Sequence, residues 1–206
     1  MKFRNSSALH GTLLVVTLVV LTWSGLHPRD RFTWLLEVAP ALIAFPVIAL
    51  TYRSFRLTNL VYVGIALHAT ILMVGGHYTY AQVPLFNWIR DEFGLARNDY
   101  DRLGHLAQGF FPALIAREIL IRRRVLARGS WLFFLVVCIC LAISASYELI
   151  EWAVAELSGE DAVAFLATQG DIWDTQKDIA FALLGSILAQ VLLSKLHDRQ
   201  LKELML

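Results

Sequence analysis

Acidic and histidine side chains recur at helical spacing in the second half of the chain. Residues three, four or seven positions apart share one face of an α-helix. The groups are Asp101 with His105 and Gln108, Glu148 with Glu151, and Asp171 with Asp174 and Asp178. Carboxylates and imidazoles on one face can hold a divalent metal ion or transfer protons. These residues are therefore the first candidates for chemistry.

A metal ion is the simplest way to hold so many carboxylates together. In a low-dielectric environment they would repel one another and take up protons unless a cation joined them. Arg102 and Lys177 lie nearby in sequence, but two bases cannot neutralise all of these acids. His with Asp or Glu suits Zn, Mn or Fe(II), and a set of oxygen ligands alone suits Mg. The predicted metal ligands are Asp101, His105, Glu148, Glu151, Asp171, Asp174 and Asp178.

Some of these residues, and some near them, have other interpretations. Asp171 and Asp174 could instead cap a helix, where carboxylates favour the N-terminal dipole. Glu37 is either a satisfied polar contact or a further member of the same site. His68 is more typical of a hydrogen-bonded core histidine than of a proton relay. His77 is a candidate general acid or base.

The composition of the chain indicates where these side chains must lie. Its 206 residues are 57% hydrophobic and 17% charged, and the mean hydropathy is +0.58. Soluble domains have roughly 45–50% apolar and 25% charged residues, so an ordinary soluble domain and a disordered chain are both excluded. A net charge of +1 lacks the basic excess of nucleic-acid-binding proteins. The expected partner is the lipid bilayer.

Apolar segments long enough to cross a membrane account for this composition. A spanning helix needs about 20 apolar residues. Six segments qualify or nearly so, at 9–26, 34–50, 60–76, 103–121, 131–152 and 178–196. These runs are too long for strands, so they predict an all-α polytopic bundle and one integral-membrane domain over residues 1–206. The first segment follows Lys2 and Arg4, as in a signal peptide, but its length favours an uncleaved anchor.

The distribution of charge predicts the orientation. With the N-terminus inside, 12 of the 18 Lys and Arg residues lie on the inner side, which favours two cytoplasmic termini. Of the 17 Asp and Glu residues, 14 lie on the outer side. Two long outer loops are expected, His77 to Arg102 and Ala153 to Lys177. The candidate ligands then reach one depth, just inside the outer interface.

Four stretches around these residues resemble a known family. They are His77–Ala81 with Pro84, Asn98–Arg102 with His105, Tyr147–Trp152, and Gln169–Asp178. Over nearly the whole chain the sequence resembles the YjdF family of bacterial inner-membrane proteins. The resemblance implies a multi-pass protein of the bacterial plasma membrane and implies no reaction.

Two hypotheses of different classes follow for the function. The first is a metal-dependent enzyme that faces the cell exterior, where the ion activates water or polarises a phosphoryl or carbonyl oxygen of a lipid-like substrate. The alternative is a cation- or proton-coupled transporter that uses the same carboxylates as an entry site. Against a transporter, the inner half offers few titratable groups and the sequence shows no internal repeat. A non-catalytic membrane partner or sensor is a third possibility.

Overall fold

The computed structural model describes residues 2–158 and 163–205, and the described residues are largely helical. The elements in chain order are α1 (Lys2–Gly25), α2 (Arg31–Thr51), α3 (Asn59–Tyr78), a 3-10 turn (Tyr80–Gln82), α4 (Pro84–Phe93), α5 (Tyr100–Arg122), α6 (Ser130–Ser158), α7 (Val163–Leu166) and α8 (Asp174–Met205). Each predicted segment lies in or nearly coincides with one of the long helices. The prediction of an all-α polytopic membrane bundle is confirmed. The second predicted outer loop lies partly outside the described residues, together with Glu160 and Asp161.

Within the part of the chain that the structure describes, five helices are long and apolar enough to cross a membrane. They are Ser6–Gly25, Arg31–Thr51, Asn59–Tyr78, Ser130–Leu157 and Asp174–Met205. The fourth predicted span, α5, has 23 residues but carries many polar and charged side chains, which are largely buried against its neighbours. Crossing by α5 and the cytoplasmic termini stay predictions. We call the end of the bundle that carries α4 and α7 the outer end, and the opposite end the inner end.

Helices α5 and α8 pack with their backbones in contact. A Cβ atom built on Gly109 would lie 1.9 Å from the Ala182 carbonyl oxygen, and one on Gly185 would lie 2.1 Å from the Leu106 carbonyl oxygen. Small residues allow this approach in membrane bundles, where close packing replaces the hydrophobic driving force between helices. The polar faces of α5 and α8 are thereby brought together.

A buried polar network closes the inner end. The Glu118 side chain is 0% exposed and accepts hydrogen bonds from the Thr58 backbone N–H at 3.1 Å and the Thr58 hydroxyl at 2.7 Å. Arg122 donates to the same carboxylate at 2.8 Å, and His197 Nε2 lies 3.0 Å from it. These partners lie at the start of α3 and on α5 and α8. The carboxylate therefore joins three helices.

His197 extends this network through its second ring nitrogen. Its Nδ1 lies 3.3 Å from Arg117 Nη1, so a neutral imidazole that donates through Nε2 and accepts through Nδ1 satisfies both contacts. Arg117 also donates to Asp198 at 2.9 Å, and Arg128 donates to the same oxygen at 2.8 Å. The saturated hydrogen bonds indicate a structural role for the inner end.

Glu118→Gln should destabilise the protein by about 3–5 kcal/mol, since an amide places a donor among donors and leaves buried charges without their partner. Glu203→Gln is the matched control, because Glu203 is 42% exposed and pairs with the exposed Arg199 on one helical surface. The control should cost less than about 0.5 kcal/mol. Unfolding in detergent measures both variants. Equal losses of stability in the two variants would show that the buried network contributes no more to stability than the exposed ion pair.

Candidate metal centre at the outer end of the bundle

Three predicted ligands form a compact group between α5 and α8. Asp101, His105 and Asp178 each offer one ligand atom, and these atoms lie within 4.8 Å of one another. All three side chains are buried, with Asp178 only 2% exposed. Asp101 and His105 are one turn apart on α5, and the close packing of α8 brings Asp178 against them. The group contains two carboxylates and one imidazole.

Two further predicted ligands reach the same level from α6. Glu148 Oε1 lies 3.5 Å from His105 Nε2, which itself lies 3.6 Å from Asp101 Oδ1. The Glu148 side chain also forms a hydrogen bond with Thr175 near the start of α8. Glu151, one turn along α6, is 8% exposed. Glu148 thus adjoins the Asp101–His105–Asp178 group, and Glu151 lies one turn further along the same helix.

Glu37 of α2 belongs to the same polar region. It is 4% exposed, and the Tyr147 hydroxyl donates to it at 3.5 Å. The Tyr80 hydroxyl is a second hydrogen-bond partner. Burial, together with the nearby Glu37 carboxylate, raises the pKa of Tyr80 well above its ordinary value, so the phenol stays protonated. Glu37 is thus a satisfied polar contact of two tyrosines and also lines the cavity of the outer site, so features of both interpretations are present.

Several of these side chains, though not Asp178 or Glu148, line a cavity of about 170 Å³, which we call the polar cavity. Its lining includes Glu37, Asp101, His105, Gln108 and Glu151. Space for the adjoining Tyr80 ring is made by two glycines, since a Cβ on Gly75 or Gly104 would lie 2.1 or 2.7 Å from ring atoms. The cavity has room for small ligands or water beside the acidic group.

Arg97 lies beside the Asp101–His105–Asp178 group and is the cation that the sequence prediction missed. It is 6% exposed, its Nη1 pairs with Asp174, and its Nη2 lies 3.4 Å from Asp101 Oδ2. Burial opposes the charge on Arg97, but the hydrogen bond to Asp174 and the nearby carboxylates raise the pKa of the guanidinium, so it stays ionised. Asp174 is therefore neutralised by Arg97.

Asp171 lies at the rim with its own cations. Its Oδ2 is 2.5 Å from Lys177 Nζ and 3.1 Å from Arg102 Nη2, and its Oδ1 accepts the Trp173 backbone N–H at 3.1 Å. The hydrogen bonds from Lys177 and Trp173 hold the pKa of Asp171 below its ordinary value. Asp171 thus lies in the turn before α8, which starts at Asp174, and its carboxylate does not cap the helix itself.

Two loops hold Arg97 in place. The Gln169 side chain accepts from the Asn98 backbone N–H at 2.9 Å and donates to the Asn98 carbonyl at 2.9 Å. The Asn98 amide donates to the Val83 carbonyl at 3.1 Å and to Asn87 at 2.8 Å. The segment before α5 is thereby fixed to the segment before α8 and to α4.

Of the other two histidines singled out in the sequence, His77 lies apart from this site and His68 lies at the edge of the polar cavity. His77 packs against α1, where its Nδ1 is 3.0 Å from the Ser24 carbonyl oxygen and its ring centroid is 4.5 Å from that of Trp23. The contacts of His77 are thus with α1, and its acid–base role stays a prediction. The His68 ring stacks on Phe111 with centroids 5.8 Å apart, and its Nε2 has no hydrogen-bond partner.

The outer and inner networks differ in how well their polar atoms are paired. In the Asp101–His105–Asp178 group, His105 Nδ1 and Asp178 Oδ1 are buried and have no hydrogen-bond partner, and the same holds for Glu148 Oε1 beside the group. Buried polar atoms in native proteins are almost always paired, so these unpaired atoms are the ones available to a ligand. At the inner end the Glu118 carboxylate has several partners.

Comparison with known proteins identifies a family. Residues 9–199 match the family described as predicted membrane protein (DUF2238). The chain is 48% identical over 198 residues to the inner membrane protein YjdF of Escherichia coli strain K12, covering 96% of this chain and 92% of that protein. No solved structure matches the chain. These matches confirm the predicted family and the predicted location in a bacterial inner membrane.

Proposed function

The chain belongs to the YjdF (DUF2238) family of membrane proteins, and we propose that its outer cluster binds a divalent metal ion through Asp101, His105 and Asp178. The observation that carries this proposal is the closeness of one ligand atom from each of three buried residues, in a group that also contains buried polar atoms without a hydrogen-bond partner. The three ligand atoms lie within 4.8 Å of one another, and His105 Nδ1 and Asp178 Oδ1 have no partner. A bound cation would also offset the repulsion between the two buried carboxylates.

The donor set indicates which ions fit. One imidazole with two carboxylates suits Zn, Mn or Fe(II), and it suits Mg less well because Mg prefers oxygen ligands alone. Glu148 lies beside His105 and is the natural source of a fourth ligand or of a base for a bound water. Asp171 and Asp174, which are paired with Lys177 and Arg97, then orient the site without binding the ion.

We propose hydrolytic or transfer chemistry on a lipid-like substrate as the use of this site. A divalent ion supplies an activated water or polarises a phosphoryl or carbonyl oxygen. Glu37 of α2 and Glu151 of α6 line the polar cavity, where they would exchange protons with a bound group. The Arg97 guanidinium, held by Asp101 and Asp174, adds a fixed positive charge beside the proposed metal site.

A cation- or proton-coupled carrier has less support. Between the polar cavity and Glu118, α5 carries buried apolar side chains such as Ala113 and Leu114, which pack with Val61 and Val136 in one core cluster. The inner network beyond that cluster is saturated with hydrogen bonds. A non-catalytic sensor would use the same metal ion without turnover, and flux and lipid-turnover assays in proteoliposomes separate these alternatives.

The first test is metal analysis of detergent-purified wild-type protein and of His105→Asn. We expect about one ion per chain in the wild type, and a rise in the unfolding temperature on titration with Zn²⁺ or Mn²⁺ that chelation reverses. His105→Asn should lose both responses. His27→Asn is the control, because His27 is exposed in the connection between α1 and α2 and its φ of 55° is one that Asn tolerates. Equal metal content in wild type and His105→Asn would refute the proposal.

A further inference from the structure

A second, apolar cavity adjoins the polar cavity inside the bundle. It has a volume of about 560 Å³ and is formed by α1, α2, α3 and α5. This volume is typical of pockets that enclose a small molecule. We call it the apolar groove. Most of its lining is aliphatic or aromatic, with Leu21, Phe45, Ile65 and Ile115 as examples.

The apolar groove and the polar cavity share three lining residues, Pro40, His68 and Leu72. The two spaces therefore meet at this junction, with carboxylates on one side and hydrocarbon on the other. His68 is a polar side chain at the junction, and its buried Nε2 has no hydrogen-bond partner. The far end of the groove is lined by Phe55 and Arg123, whose guanidinium lies 4.9 Å from the centroid of the Phe55 ring.

The side of the groove opens toward the surface of the bundle. Leu18 of α1 is 41% exposed, and Phe45 and Val47 of α2 are 45% and 55% exposed. In a membrane this surface faces lipid tails, so a hydrocarbon chain can enter sideways without crossing a polar layer. A purely polar ligand would not use the groove. An unbound bilayer lipid keeps its headgroup at the interface and not in a cavity inside the helices. Occupation of both spaces therefore requires a bound ligand with a polar head and a hydrocarbon chain.

We propose that the apolar groove binds the hydrocarbon chain of an amphiphilic substrate whose polar head occupies the polar cavity. The substrate class is then a membrane lipid or a lipid-linked molecule, with His68 beside the bond that joins head and chain. This inference rests on the proposed metal site for the chemistry at the head. The chain site itself depends only on the groove.

Ala44→Trp tests the groove by filling it. Ala44 is half-buried and lines the groove, whereas its neighbour Ile43 is 66% exposed on the same helix, so Ile43→Trp is the matched control. The probe is phosphatidylglycerol that carries a photoreactive diazirine in one acyl chain, in phosphatidylcholine vesicles with the full-length protein. Wild type and Ile43→Trp should be labelled at Ile65 and Ile115. Ala44→Trp should reduce that labelling about tenfold, because the indole occupies the space.

A second comparison tests the link between head and chain. Zn²⁺ should increase labelling of the groove by the phosphate-bearing lipid, but not by a diacylglycerol with the same photoreactive chain. Asp178→Asn should abolish the increase, while Ala44→Trp should keep Zn²⁺ binding. Basal labelling that Ala44→Trp leaves unchanged would overturn the chain site. If Ala44→Trp removes the labelling but the wild-type protein binds no metal, the chain site stands and only the metal site is overturned.

Discussion

Asp178→Asn is expected to weaken binding of Zn²⁺ or Mn²⁺ by about 100-fold or more, as loss of a direct ligand costs at least as much as loss of its supporting partner. Asp178 is 2% exposed and its Oδ1 has no hydrogen-bond partner, so the oxygen is free to bind an ion. The amide keeps the shape of the side chain and removes its charge. Isothermal titration of the detergent-solubilised protein measures the affinity.

Asp171→Asn is the control for this substitution. Asp171 starts the same stretch of acidic residues, but Lys177 and Arg102 already neutralise its carboxylate. Its replacement should leave the metal affinity within about threefold of wild type, because the charge removed lies outside the proposed ligand set. A similar loss of affinity in both variants would mean that the ion responds to the general negative charge of the outer end.

The stability of Asp178→Asn gives a second and more specific result. Without metal, Asp178 lies beside Asp101 and Glu148 in a buried site, where the carboxylates must either repel one another or take up protons, so the neutral Asn should raise the unfolding temperature of the chelated protein. With saturating metal the order should reverse, because only the wild type gains binding energy. A purely structural Asp178 would lower stability under both conditions. That result would contradict the metal-site proposal even if the variant were otherwise well folded.

Helical periodicity was sufficient to find the central group but not its surroundings. The i, i+4 spacing of Asp101 and His105 became a shared face because α5 begins at Tyr100 and is regular there. The same reasoning failed to give Asp171 a place on a helical face, since α8 starts only at Asp174. Asp171 lies instead in the preceding turn, where its carboxylate accepts a backbone N–H. Spacing predicts direction only inside a continuous helix.

The sequence pattern could not predict that Arg97 belongs to the site, for a related reason. It lies in a loop, and the Gln169–Asn98 hydrogen bonds that fix this loop join residues 71 positions apart. Such contacts leave no periodic signal. At the inner end, hydropathy ended the last predicted span at residue 196, whereas α8 continues to Met205 and places His197 against Glu118. The polar continuation of an apolar helix is invisible to a search for apolar runs.

The second large effect is expected from Gly109→Ala. The new methyl group would lie 1.9 Å from the Ala182 carbonyl oxygen. The methyl carbon is fixed directly to the backbone of α5 and the carbonyl belongs to the backbone of α8, so the two helices must separate. Overpacking of this kind costs about 1–3 kcal/mol and here should reach the upper part of that range. Gly11→Ala is the control, since no atom lies within 4 Å of its added Cβ. The control should be neutral or stabilising by up to about 1 kcal/mol, because Ala favours a helix over Gly.

Separation of α5 from α8 should also weaken the metal site, since Asp101 and His105 lie on one helix and Asp178 on the other. Gly185→Ala opens the same interface from the other side, where its Cβ would lie 2.1 Å from the Leu106 carbonyl oxygen. Once one substitution has moved the helices apart, the other finds more room, so the double variant should lose less stability and less metal affinity than the sum of the single variants. Additive losses would mean that each glycine acts locally. Coupled losses of stability with unchanged metal affinity would mean that the ligands do not bridge the two helices, which would contradict the proposed coordination by Asp101, His105 and Asp178.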